Sequence, residues 1–258
     1  DGARLAELTG IDVVCDFRRR DLAAGGQGAP LVPAFHAAYF GRAGHDVAVL
    51  NVGGIANLTL LRADGEVAGF DCGPGNLLMD LWCERHTGRR YDEDGRWAAQ
   101  GRVHQALLQR LLGEPYFALA PPKSSGRDRF HAGWLDAHLT AQRATPGEPL
   151  PAADVQASLL ALTAMAAANA LRVHAPRTQR LWVCGGGALN LALMDALAAA
   201  LPGVAVARSE AAGLAPMQVE AVAFAWLAHA HVERRAGNLP AVTGARGPRV
   251  LGALYPAH

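Results

Sequence analysis

Three times along this chain, a short apolar run with strand character ends in a cluster of glycines. Asp46 to Leu50 runs into Gly53-Gly54, Val67 to Phe70 leads to Gly73-Pro74-Gly75, and Arg180 to Cys184 ends at Gly185-Gly186-Gly187. Helical periodicity follows the second and third clusters, whereas the first resumes as another apolar run, Ile55 to Leu61. The Asp64-Gly65 pair then marks a hairpin turn. Strand–turn–helix units beside a hairpin specify an α/β fold with a mixed sheet. Consecutive glycines cost backbone entropy, so each cluster marks a place where another backbone or a ligand comes close.

The rest of the chain reads around that frame. A short helix is expected over 3–9 with Gly10 as its stop, followed by a strand over 11–16. Residues 23–33 are too rich in Gly and Pro for a regular element, and 34–41 form a short helix. After Pro74, Leu77, Leu78, Leu81 and Trp82 share one helical face that closes near Gly88. Further helices are expected within 92–113, an irregular loop over 115–129, and a Pro/Gly-rich link from Thr145 to Pro151. Asp154 is placed as the cap of a long Ala/Leu helix reaching about His174. A helix over 189–201, a strand over 204–207 and a last helix over 219–233 complete the pattern.

Composition removes several classes of function. The 258 residues suffice for a sizeable core, and 51% are hydrophobic, too many for a disordered chain. Lys and Arg number 24 against 23 Asp and Glu, so no bulk field draws nucleic acid or an anionic membrane. The aliphatic stretches carry polar residues at helical spacing and read as core helices rather than membrane spans. The start, Asp-Gly-Ala-Arg-Leu-Ala-Glu, has neither the charged nor the apolar part of a secretory signal. Cys15, Cys72, Cys83 and Cys184 lack metal-ligand or redox spacing and read as reduced, buried residues of a cytoplasmic protein. No metal site is expected from protein side chains, and His229 reads as a hydrogen-bonded core or edge residue.

Five segments can carry chemistry, each with a plain structural alternative. Asn51 to Asn57 puts Gly53 and Gly54 at a turn where backbone N–H groups can cradle an anion, or it is an ordinary hairpin. Asp71 ends a strand beside Gly73-Pro74-Gly75, where α/β proteins place catalytic groups, or it is a turn aspartate. Asp80, further along, is a second carboxylate or a solvated helix face, and the solvated reading is favoured. Gly185 to Gly187 opens a helix, which suits a nucleotide or a close-packed strand–helix turn, and it follows neither the dinucleotide nor the Walker pattern. Arg18, Arg19 and Arg20 can grip a phosphate or carboxylate, or form a solvated edge paired with Asp16 and Asp21. Lys123 to Arg127 can touch phosphate or sugar, or be a surface loop.

Taken in order, these segments resemble the 1,6-anhydro-N-acetylmuramic acid kinases of bacterial cell-wall recycling. The likeness runs through 16–36, Asn-Val-Gly-Gly-Ile-Ala-Asn-Leu (51–58), Gly-Phe-Asp-Cys-Gly-Pro-Gly-Asn (69–76), Pro-Lys-Ser-Ser-Gly-Arg-Asp (122–128), Val-Cys-Gly-Gly-Gly-Ala-Leu-Asn (183–190), 220–228 and 243–256. It implies the two-lobed fold of the sugar kinase, Hsp70 and actin superfamily, which is ribonuclease H-like. Residues 1–44 would be the remainder of the N-terminal lobe and 45–258 the C-terminal lobe, with the last helix and tail packing back on the first. The implied reaction uses ATP and Mg²⁺: water opens the 1,6-anhydro bridge and O6 takes the γ-phosphoryl group. Asp71 matches the general base. Asn51, Gly53, Gly54 and Asn57 match the phosphate side, and Gly185, Gly186, Gly187 and Asn190 the adenosine side. Glu220 matches a sugar contact, with Arg18 and Arg20 as further substrate contacts. A cytoplasmic homodimer acting on a small sugar is implied, with no nucleic-acid or membrane partner.

Family members carry roughly a hundred further N-terminal residues with a first phosphate loop, Gly-Thr-Ser-x-Asp-Gly, that this sequence does not show. Phosphoryl transfer depends on charge neutralisation around the β- and γ-phosphates, so weak activity is expected of the chain as given. The rival readings are a non-catalytic ATP- or sugar-binding member of the superfamily and an ATP-driven interaction protein. A metal-dependent hydrolase stands further off, because no His, Asp and Glu cluster has ligand spacing.

Overall fold

A computed structural model of the chain describes residues 1–143 and 149–258. Ten helices and seven strands alternate along them. The first part holds α1 (Gly2–Thr9), β1 (Val13–Cys15), α2 (Phe17–Ala23) and α3 (Val32–Phe40). The meander β2 (Val47–Val52), β3 (Ile55–Leu61) and β4 (Val67–Pro74) follows, then α4 (Leu77–Thr87), α5 (Gln105–Leu112), α6 (Ala132–Arg143) and α7 (Ala152–His174). Last come β5 (Arg180–Cys184), α8 (Leu191–Ala200), β6 (Ala205–Arg208), α9 (Val219–Val232), α10 (Pro240–Thr243) and β7 (Ala253–Tyr255).

The main sheet has the order β4-β3-β2-β5-β6. β2, β3 and β4 pair antiparallel, while β5 and β6 add parallel to β2. A three-stranded meander extended by two parallel crossover strands is the ribonuclease H-like arrangement that the family resemblance implies. A separate ribbon pairs β1 with β7 antiparallel, so the tail returns to the first strand of the chain.

Alternation along the strands assigns the two faces. Ala48, Leu50, Leu58, Leu60, Leu181 and Val183 point to one side, where Leu159 and Leu162 of α7 and Leu193 and Leu197 of α8 cover them. Val47, Val49, Leu61 and Trp182 point to the other, under Phe35 and Phe40 of α3 and Val219 and Ala223 of α9. α7 has a mean hydropathy of 1.2 over an 18-residue window, enough by length and composition to cross a bilayer. However, 72% of that window is buried, so it serves as the central core helix.

Several local expectations are corrected. Asp154 is not the cap of α7: Pro151 occupies that position, and Asp154 lies in the first turn, accepting the Arg102 N–H at 2.8 Å. The strand expected over 11–16 shrinks to Val13–Cys15, because Asp16 adopts φ 60° and turns the chain directly into α2. Phe17 to Ala23 is helical, where no element was expected. β4 continues four residues beyond Phe70. It is an edge strand, where a terminal proline interrupts no ladder, so Pro74 does not stop it early. His229 is exposed and Cys15 only half buried. The link read from Thr145 to Pro151 falls largely outside the described residues.

Asp21 is fully buried and ties the first part of the chain to the last. Its Oδ1 accepts from Asn238 Nδ2 and Thr243 Oγ1, each at 2.7 Å, and its Oδ2 accepts the Gly28 N–H at 2.8 Å. It does not pair with the neighbouring arginines; Arg19 reaches Asp16 instead, at 3.4 Å. A buried carboxylate that satisfies three donors leaves all three stranded when it is removed. Asp21→Ala is expected to lower the unfolding free energy by about 3 kcal/mol, read from urea denaturation, with a change under ~0.5 kcal/mol counting against a structural role.

Candidate active site

The register of the sheet lines up four polar groups. Asp71 on β4 opposes Asn57 on β3, Asn57 opposes Asn51 on β2, and Asn51 opposes Cys184 on β5. Directly opposed side chains share a face with Cβ atoms about 5 Å apart, so the four form one row across the sheet. The row lies on the α3/α9 side, beyond the last apolar residues of that face, and it ends at the carboxyl ends of the parallel strands β2 and β5. Open α/β sheets bind ligands at that edge. The β3–β4 register runs unbroken from Leu61 opposite Val67 to Asn57 opposite Asp71 and shifts only beyond that pair, where Ala56 opposes Gly73 rather than Cys72.

Asp71 is half buried, in the middle of a strand instead of at its end. The segment 123–125 lies alongside it. The Asp71 N–H donates to the Lys123 carbonyl at 3.1 Å, the Ser125 N–H donates to Asp71 Oδ2 at 2.8 Å, and the Tyr116 hydroxyl donates to the Asp71 carbonyl at 2.8 Å. Asp71 Oδ1 has no partner among the described residues. Burial raises the Asp71 pKa above the ordinary carboxylate value, and the Ser125 N–H partly opposes the shift. Lys123 is engaged within the protein. Its Nζ donates to the Phe117 and Tyr116 carbonyls at 3.1 and 3.3 Å and lies 4.9 Å from the Tyr116 ring centroid. This loop is therefore a buttress for Asp71, a role that neither sequence alternative anticipated.

The glycine triplet is built by contact. Gly185 has φ 77° and ψ −178°, a combination open essentially to glycine alone. A Cβ there would collide with Asn51 Oδ1, and one at Gly187 would collide with the Val52 side chain. The Gly185 N–H donates to the Pro216 carbonyl at 3.0 Å, which fixes the start of α9 over the turn. Asn190 caps α8, accepting the Leu193 N–H at 3.0 Å. Gly54 is engaged too, its carbonyl accepting the Gly75 and Leu77 N–H groups at 2.9 and 3.1 Å.

Two cavities meet at this turn, sharing Gly186 and Met217. One, of about 400 Å³, runs between the α3/α9 layer and the polar row; Asn51, Gly53, Asn57, Gly185 and Gly186 line its sheet side. Arg18 and Glu220, both exposed, stand on its opposite wall. The other, of about 490 Å³, opens beside α4 and α8 and contains Asn76, Asp80 and Asn190. Asp71 lines neither; it stands one strand beyond Asn57. Gly54, Gly187 and Arg20 also lie outside both linings. Asp80 is not a solvated face: burial pushes its pKa up to about 6. Sequence reasoning gave no role to His36 or Asn76, and named Ser125 only within a loop read as touching phosphate or sugar or lying on the surface. All three sit inside the matched stretches, but nothing in their spacing marks them. Among the described residues no three His, Cys, Asp or Glu side chains converge as a metal site. A magnesium ion would thus depend on nucleotide phosphates for most of its ligands.

Known proteins place this geometry in a family. The profile described as "Anhydro-N-acetylmuramic acid kinase" matches residues 1–257. A protein of that name from Variovorax paradoxus is 62% identical over 259 aligned positions, covering 98% of this chain and 68% of that protein. Its namesake from Chromobacterium violaceum is 56% identical, again over 98% of this chain and 68% of its own length. The solved activator of the 2-hydroxyisocaproyl-CoA dehydratase from Clostridium difficile, with bound ADPNP, aligns over 74% of this chain and 62% of its own at 11% identity and a TM-score of 0.43. End-to-end coverage at such identity, with the strand-borne row and glycine turn in place, makes this chain a member of the anhydro-N-acetylmuramic acid kinase family.

Proposed function

We propose that the chain is an ATP-dependent kinase that opens 1,6-anhydro-N-acetylmuramic acid with water and phosphorylates O6. The observation that carries this reading is the row Asp71–Asn57–Asn51 abutting a cavity whose far wall holds Arg18 and Glu220. The cavity of about 400 Å³ takes the sugar, with Glu220 accepting from its hydroxyl or amide groups and Arg18 facing its carboxylate. The second cavity takes the adenosine beside Asn190 and Gly186, so that the phosphates run over the Gly53 and Gly185 turns toward the sugar.

In this arrangement Asp71 Oδ1 accepts a proton from water as the water oxygen bonds to the anomeric carbon. The bond from that carbon to O6 breaks, and O6 takes the γ-phosphoryl group, leaving N-acetylmuramic acid 6-phosphate and ADP. The Ser125 N–H and the backbone bonds around Asp71 hold the carboxylate in one orientation. The reading extends to Mg²⁺ as companion of ATP, to a cytoplasmic homodimer, and to a division into a first-lobe segment (1–44) and a second lobe (45–258). The packing of α3 against the main sheet joins those two segments.

Two outcomes test the assignment. In a coupled ADP-release assay with the anhydro sugar, Asp71→Asn is expected to lower kcat about 10²- to 10⁴-fold, the range for losing a positioned base; turnover near the wild-type rate removes Asp71 from that role. The base works only when ionised, and burial raises its pKa. The acid limb of kcat/KM is therefore expected above the ordinary carboxylate range of about 4, with activity lost as pH falls through it. A pH profile flat down to that range contradicts the assignment.

A further inference from the structure

His36, on α3, is 1% exposed and lines the smaller cavity beside Pro30, Leu31, Val32 and Phe224. Its Nδ1 lies 2.8 Å from Thr59 Oγ1, and its Nε2 has no partner among the described residues. The Thr59 hydroxyl, itself buried, carries one proton, and His36 Nδ1 is its only acceptor within the described residues. The hydroxyl therefore donates to Nδ1, since the opposite arrangement would strand its proton in a dry site. That choice puts the imidazole proton on Nε2. Burial holds the His36 pKa down to about 3, so the ring is a neutral donor at any working pH and is no proton-transfer group.

We infer that His36 Nε2–H is a specificity determinant that donates to the acetamido carbonyl oxygen of the sugar. The inference rests on reading this cavity as the sugar side. A buried donor without a protein partner is tolerated where a ligand completes it. The apolar residues around His36 favour an uncharged acceptor over a carboxylate, whose desolvation they would penalise. The carboxylate of the substrate has Arg18 at the exposed wall. A site built to complete such a bond rejects analogues that lack the acceptor, because the donor is then left unpaired.

Titration calorimetry with the anhydro sugar and with its de-acetylated amine tests this. The wild-type protein should prefer the acetylated sugar. His36→Leu should weaken that sugar about tenfold to a hundredfold while leaving the amine and an ATP analogue unchanged. His36→Gln, which keeps an amide N–H near the Nε2 position, should recover most of the affinity. In ¹⁵N-histidine NMR of the unsubstituted protein, His36 should show the Nε2–H tautomer, and its Nε2 signal should shift on adding the sugar but not the amine. Equal loss for both sugars, unchanged binding of the acetylated sugar by His36→Leu, or the Nδ1–H tautomer overturns the inference. Failure of the wild-type protein to bind either sugar sinks the sugar-side reading and the His36 assignment with it.

Discussion

The register of the central sheet is the constraint on which the rest of this structure depends. A slip of one residue would send Asn51, Asn57 and Asp71 to the opposite face, into the aliphatic layer under α7 and α8. The apolar pattern of the strands forbids this slip. Val47 and Val49 hold β2 against α3 and α9, Ala48, Leu50 and Val52 hold it against the opposite layer, and Asn51 follows as the next residue on the α3/α9 side. The same hydrophobic alternation that stabilises the sheet thus places its polar row. The unbroken β3–β4 register from the hairpin turn brings Asp71 into line opposite Asn57, and the irregularity falls only beyond it, at Ala56.

Around that row, each tight feature positions something beside it. The turn at Gly185 brings the chain so close to Asn51 that no side chain fits, and its bond to Pro216 sets the entry of α9 and thereby Glu220. The buried Asp21 hub fixes Gly28, whose loop walls the smaller cavity next to Arg18. Tyr116, the Lys123 carbonyl and Ser125 brace Asp71 along the outer edge of the edge strand. Among the described residues the carboxylate is left with one free oxygen in a partly dry setting, which suits a base that must be ionised yet basic enough to take a proton.

The sheet strands and the long helices were legible in the sequence because their apolar periods are strong and uninterrupted. Arg180 to Cys184 and Ile55 to Leu61 emerge with the bounds expected for them. What the sequence hid has physical reasons. The helix at Phe17 to Ala23 was masked by its run of three arginines, whose exposed side chains give no apolar face to detect. The extension of β4 through Pro74 depends on its being an edge strand, a tertiary fact. Asp80 was read as solvated because its helix position says nothing of the walls around it. The candidate site was legible as segments, through glycines and a family likeness. The pairing Asp71–Asn57–Asn51, the Ser125 brace and the unpartnered His36 nitrogen arise only from contacts between segments far apart in sequence.

The central claim is that one sheet edge holds the sugar beside Asp71 and delivers the phosphates over the Gly53 and Gly185 turns. A crystal structure of the protein with the anhydro sugar and a non-hydrolysable ATP analogue tests it most directly. The account predicts the sugar between Glu220 and Asn57, its anomeric carbon toward Asp71 with a water between them, and the adenosine beside Asn190. A sugar seated in the cavity beside Asp80, or an anomeric carbon turned away from Asp71, would contradict it.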